Sequence, residues 1–115
     1  MQHAVEPGVG AMAAIIGAQL DELEAACAEI SGAEVVAPAN ENGGGQTVVA
    51  GHAGAVTRLV AAAKERRWRA IPLKVSAPFH CSLMAPAAAR LAAALDDVEV
   101  SAMRFPVVSN VEAEP

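Results

Sequence analysis

The chain has 115 residues, enough for one small domain, and a formal net charge of −5 from 13 acidic and 8 basic side chains. That balance excludes the basic face needed for non-specific nucleic-acid binding. No apolar run approaches the roughly 20 residues of a membrane span, and two cysteines, Cys27 and Cys81, do not make a disulfide framework. Hydrophobic residues make up 54 %, but much of that is alanine, so a single thin core is expected, with Trp68, Phe79 and Phe105 as its only large rings. Met1 is not followed by a secretory pattern, and a soluble cytoplasmic protein is the expectation.

Residues 1–9 read as irregular lead-in. Gly10 to Gly17 is an apolar run between glycines, predicted as a strand buried on both faces. A helix is predicted over Asp21 to Ile30. Asp21 and Glu24 resemble a capping box, Leu20, Leu23, Cys27 and Ile30 form the inner stripe, and Ser31-Gly32 is the stop. Glu34–Asn40 and Gln46–Ala50 read as strands joined by an Asn- and Gly-rich turn, a hairpin. The glycines there do not make a phosphate loop, because no Gly-Lys-Ser/Thr follows to open a helix. A second helix is predicted over Ala53 to Arg66, with Val56, Leu59, Val60 and Ala63 facing inward. Lys64, Arg66, Arg67 and Arg69 cluster at its end. A strand over Arg69 to Val75, a helix over Met84 to Leu95 and a final strand over Phe105 to Asn110 complete the chain.

The fold class expected is α+β. Strand, helix, strand, strand, helix, strand over 10–75 is the split β-α-β order of a ferredoxin-like sandwich. The loop, helix and strand of 76–115, with residues 1–9, read as a partial segment of a larger α/β body. Between the two parts, Pro78 disfavours helix at Ala77, and Pro86 is tolerable in a first helical turn. His80 is therefore expected at a strand–turn–helix junction, where an imidazole can point into a cleft.

Val75-Ser76-Ala77-Pro78-Phe79-His80-Cys81-Ser82-Leu83-Met84 with Pro86-Ala87 resembles the catalytic-histidine segment of the malonyl-CoA:acyl carrier protein transacylases. Further blocks are similar in the same order: Met1-Gln2 with Pro7 to Gly17, Asn40-Glu41-Asn42 with Gly45 to Gly51, Arg69 to Leu73, and Pro106 to Val111. The resemblance implies an α/β-hydrolase-like body with an inserted ferredoxin-like subdomain. It implies malonyl transfer from coenzyme A to the phosphopantetheine thiol of an acyl carrier protein, through an ester on serine. No cofactor or metal is implied; the coenzyme A thioester and the carrier protein are substrates.

By the same resemblance His80 is the base that takes the serine proton and then protonates the departing thiolate. Phe79 beside it accompanies malonyl preference by crowding out a methyl branch. Arg69 matches a basic position near the coenzyme A phosphates. Asn40, Asn42 and Gln46 match a polar hairpin facing the cleft, and Met1 lies in the matching M-Q segment as a further substrate-binding candidate. The family's G-H-S-x-G elbow is absent from these residues, as is the arginine that binds the malonyl carboxylate. The expectation is a C-terminal-half fragment, inactive alone, whose partner is the N-terminal half of the same enzyme. Lys64 to Arg69 is the one candidate patch for docking an acidic carrier.

A different function class is a stand-alone ferredoxin-like module that recognises carrier protein or a partner chain. A metal site built from His3, His52, His80, Cys27 and Cys81 lacks any C-x-x-C or H-x-x-x-H spacing and is set aside.

Overall fold

The computed structural model describes residues 5–75 and 77–108. It is α+β: one four-stranded antiparallel sheet with three α-helices. The elements in chain order are β1 (Gly10–Ile16), α1 (Leu20–Ile30), β2 (Val36–Glu41), β3 (Gln46–His52), α2 (Ala53–Glu65), β4 (Arg69–Pro72), a short 3-10 turn (Ser82–Met84) and α3 (Ala85–Asp96). The strand order across the sheet is β2-β3-β1-β4.

Side chains alternate between the faces of a strand, so each face has its own partners. Ala13 and Ile15 of β1 and Val49 of β3 face α1 and α2, where Leu23, Ala26, Cys27, Val56, Leu59 and Ala63 close the core. Met12 and Ala14 of β1, with Val48 and Ala50 of β3, occupy the opposite face, against Phe79 and Cys81. Burial of β1 on both faces explains its unbroken apolar sequence.

β2 is an edge strand, which is why it tolerates Pro38; its pairing with β3 is irregular between Pro38 and Asn40. The β2–β3 turn needs glycine in sequence: Gly43, Gly44 and Gly45 have φ of 75°, 60° and 73°.

Several boundaries differ from the sequence reading. Gln19, not Asp21, is the N-cap of α1, and it makes no side-chain capping bond. Asp21 lies in the first turn, where its Oδ1 accepts the Glu22 amide at 2.9 Å. The inner stripe of α1 is Leu23, Ala26 and Cys27, while Leu20 is exposed. Ile30 packs partly buried against the same core, so of the expected stripe only Leu20, in the first turn, lies outside it.

α2 ends at Glu65 in a Schellman arrangement. The Trp68 amide donates to the Ala63 carbonyl at 2.8 Å and the Arg67 amide to the Lys64 carbonyl at 3.2 Å. The residue between them, Arg67, takes φ 61°, a conformation usually given to glycine. Trp68 then plugs the end of the core, with the Arg66 guanidinium 5.5 Å from its ring centre.

β4 is four residues long, shorter than the expected Arg69–Val75: Arg69 pairs with Ile16, the last residue of β1, and the ladder stops at Pro72 opposite Ala13, although β1 itself continues back to Gly10. The Leu73 amide still reaches the Met12 carbonyl at 2.9 Å. The final strand expected over Phe105–Asn110 is not formed at 105–108, and 109–110 lie outside the described residues. A strand needs a pairing neighbour, and among the described residues 105–108 pair with neither sheet edge; Phe105 stands 72 % exposed.

Candidate functional site

The second face of the sheet carries an open cavity of about 1010 Å³. Its floor is Met12 and Val48 from the sheet, with Asn40 from β2. Leu73 and Val75 form one wall after β4. Met84, Ala87, Ala88, Arg90 and Leu91 form the other, from the start of α3. Phe79 and His80 lie between the walls.

Local packing holds the His80 turn. Ala77 and Pro78 are buried. The Pro78 ring lies against Gly10 at the start of β1, where a Cβ would be 2.8 Å from the Pro78 Cβ. Cys81 Sγ donates to the Pro78 carbonyl at 3.1 Å, and the Met84 amide donates to the Cys81 carbonyl at 3.0 Å. Phe79 packs against Met12, Ala14, Val48 and Ala50. His80 itself is exposed, at φ 60°. That conformation is uncommon for a residue with a side chain, although histidine enters it more readily than most. Here the buried proline on one side and the helix start on the other impose it. Among the described residues no hydrogen bond to another side chain ties the imidazole down.

The strand register places the other candidates. Residues directly opposite in an antiparallel pair point to the same face. Asn40 pairs with Val48, Val48 with Ala14, and Ala14 with Ile71, so Asn40 faces the cavity side. Gln46 and Arg69 both pair with Ile16, two residues along β1 from Ala14. They flank the same face at the end of the sheet, beyond the cavity lining. The Asn42 backbone amide donates to the Gln46 carbonyl at 3.0 Å, which makes Asn42 part of the turn. Met1 lies outside the described residues.

The basic cluster is divided. Arg66 is paired with Glu29 Oε2 at 2.6 Å, whereas Arg69 lies on the opposite face of the sheet from α1 and α2. Among the described residues Arg90 is the one cation lining the cavity, and the sequence reading did not single it out. Its signal was its place three residues after Ala87, on the flank of the apolar stripe of α3.

Among the described residues no group of three or more His, Cys, Asp or Glu is placed to hold a metal. His52 is occupied otherwise: its Nδ1 accepts the Val35 amide at 3.0 Å. Cys27 is buried under α1, which together with the nearby Glu24 carboxylate pushes its thiol up to about 11. No helix among the described residues is long and apolar enough to cross a membrane.

No protein-family model matches the chain. Individual relatives do. The chain is 49 % identical over 115 residues to the malonyl CoA-acyl carrier protein transacylase of Escherichia coli, and 44 % identical to that of Haemophilus influenzae. It is homologous to one segment of the malonyl CoA-acyl carrier protein transacylases. In both relatives the match takes in 99 % of this chain and 37 % of the relative, so the chain spans a little over a third of the length of the curated relatives it matches. Solved structures agree. The transacylase of Xanthomonas oryzae superimposes with a TM-score of 0.90 at 46 % identity, over 98 % of this chain and 36 % of that one. A malonyl-transacylase in complex with a type II polyketide acyl-carrier protein superimposes at 0.89 and 45 % identity, over 98 % of this chain and 37 % of that one.

Proposed function

We propose that this chain is the histidine-bearing part of a malonyl-transfer site, acting on malonyl-CoA and an acyl carrier protein. The observation that supports it most is His80: an exposed imidazole, fixed in a strained turn, at an apolar cavity on the sheet's second face. On this reading His80 takes the proton of a serine hydroxyl carried by protein outside these 115 residues. The oxygen attacks the malonyl thioester carbonyl, the carbon–sulfur bond breaks, and the proton passes to the departing coenzyme A thiolate. The second half-reaction runs the same steps in reverse with the carrier thiol.

Phe79, packed on the sheet beside His80, would limit the room around the acyl α-carbon. Asn40 would meet the ligand inside the cavity; Arg69, Asn42 and Gln46 would meet it at the margin, and Met1, which lies outside the described residues, is a further substrate-binding candidate by the resemblance alone. The strand order β2-β3-β1-β4, with α1 and α2 on one face, supports reading 10–75 as a ferredoxin-like subdomain. Residues 76–115, with 1–9, are then part of the larger α/β body. The apolar stripe of α3 supports this division: it buries no residue, and Leu91 is 59 % exposed.

Incubation of the 115-residue chain with labelled malonyl-CoA tests the assignment of the nucleophile. The expected result is no covalent label on the chain. A stoichiometric, hydroxylamine-labile adduct would show that the chain carries its own nucleophile and would overturn this division of labour.

A further inference from the structure

We propose that Arg90 binds the phosphate that joins a pantetheine arm to its carrier or nucleotide when the arm lies in the His80 cavity. The inference rests on the malonyl-transfer reading and adds to it the anion contact inside the cavity. The lining is apolar except at Asn40, His80 and Arg90. Asn40 carries no charge and a guanidinium carries one at any working pH, so Arg90 is the permanent positive charge of this cavity. It is exposed, and among the described residues the ion pairs are Arg58–Glu34 and Arg66–Glu29, which leaves Arg90 no carboxylate within reach.

Its place along α3 matters as much as its charge. Met84, Ala87, Ala88 and Leu91 give the helix an apolar wall along the cavity. Arg90 flanks that wall about 7.5 Å along the axis from Ala85, at 1.5 Å per residue. His80 lies before the helix starts. The site thus has a reacting end at the imidazole, an apolar stretch, and a permanent cation further out. A ligand that matches this carries a thioester at one end and an anion at the other. A phosphopantetheine arm has that form, and a guanidinium fork suits phosphate oxygens two at a time.

The test is binding of pantetheine, 4′-phosphopantetheine, coenzyme A and phosphopantetheinylated carrier protein to the 115-residue chain, by calorimetry and by amide resonances. The chain is used as it stands and as Arg90→Ala and Arg90→Lys, with urea unfolding to confirm equal stability. The wild-type chain is expected to prefer phosphopantetheine over pantetheine by about tenfold, the scale of one charge-assisted contact. Arg90→Ala should bring that ratio close to one, and Arg90→Lys should fall between. Coenzyme A and the loaded carrier should weaken together in Arg90→Ala. A ratio unchanged in Arg90→Ala, with resonances of His80 to Leu91 still shifting, would overturn the role of Arg90 and leave the malonyl-transfer reading standing. Weakening confined to coenzyme A would also overturn it, since the contact would then be to the nucleotide's own phosphates. If none of the four ligands shifts any cavity resonance, the malonyl-transfer reading falls and this inference with it.

Discussion

Replacing Gly10 by alanine puts a methyl group where the Pro78 ring lies. The new Cβ would overlap the ring carbons, among them Pro78 Cβ at 2.8 Å. Gly10 is tied into the sheet opposite His52, so the strand cannot easily move. The turn that carries His80 must give instead. If Pro78 left its seat entirely, three ring methylenes would lose burial at about 0.8 kcal/mol each, a ceiling near 2.4 kcal/mol. Partial adjustment places the expected loss at about 1–2 kcal/mol, within the usual cost of overpacking. Urea unfolding measures it, with Gly32→Ala as the control, because a methyl there meets nothing within 4 Å and should change stability by less than about 0.5 kcal/mol. The decisive step is the double variant with Pro78→Ala, in which the clash is gone and the Gly10→Ala cost should shrink by more than half. The ring resonances of His80 should move in Gly10→Ala and not in Gly32→Ala. An equal cost in the presence and absence of the proline ring would refute the idea that Gly10 exists to seat the His80 turn.

Leucine truncation should separate the two faces of the sheet. Leu59 is fully buried against the core, so Leu59→Ala should cost about 2–5 kcal/mol, whereas Leu91→Ala on exposed α3 should cost less than about 1 kcal/mol in this chain. Arg67→Gly should stabilise the chain by roughly 1 kcal/mol in thermal or urea unfolding, by relieving the left-handed conformation at the end of α2. For Cys27, burial first and Glu24 second raise the thiol from an ordinary value of 9.0 to about 11 in the folded chain. Between those values the unfolded chain has released a proton that the folded chain keeps, so stability falls as pH rises. The loss should be on the order of 2 kcal/mol by pH 11, and Cys27→Ala should flatten that part of the profile.

The core was legible in the sequence because its signals are local and redundant. β1 announces itself by an apolar run between glycines. The hairpin is declared by Asn42 and the three glycines after it, and α2 by Val56, Leu59 and Ala63 at helical spacing. The ends were less legible. Asp21 looked like a cap, yet the helix begins one residue earlier and its start is fixed by packing of Leu23 and Ala26. The run at 105–108 has strand composition, but a strand is a relation between two segments, and these residues show no partner. Of the cavity, the His80 turn was readable from its two prolines. Met12, Leu73 and Val75 were not, because alternation along a strand does not say what the second face meets. Arg90 was hidden for a related reason: a single arginine on a helix flank reads as solvated until the opposite wall is known.

The central claim is that His80 is the proton-transfer residue of a malonyl-transfer site completed by additional protein. It is tested most directly by exchanging these 115 residues for the matching segment of the Escherichia coli transacylase and measuring malonyl transfer to acyl carrier protein. The account predicts a folded chimera that transfers malonyl within about tenfold of the parent, and a His80→Ala version of it that loses roughly 10²- to 10⁴-fold in kcat. A folded, active chimera that His80→Ala leaves within a few-fold of full activity would contradict the account.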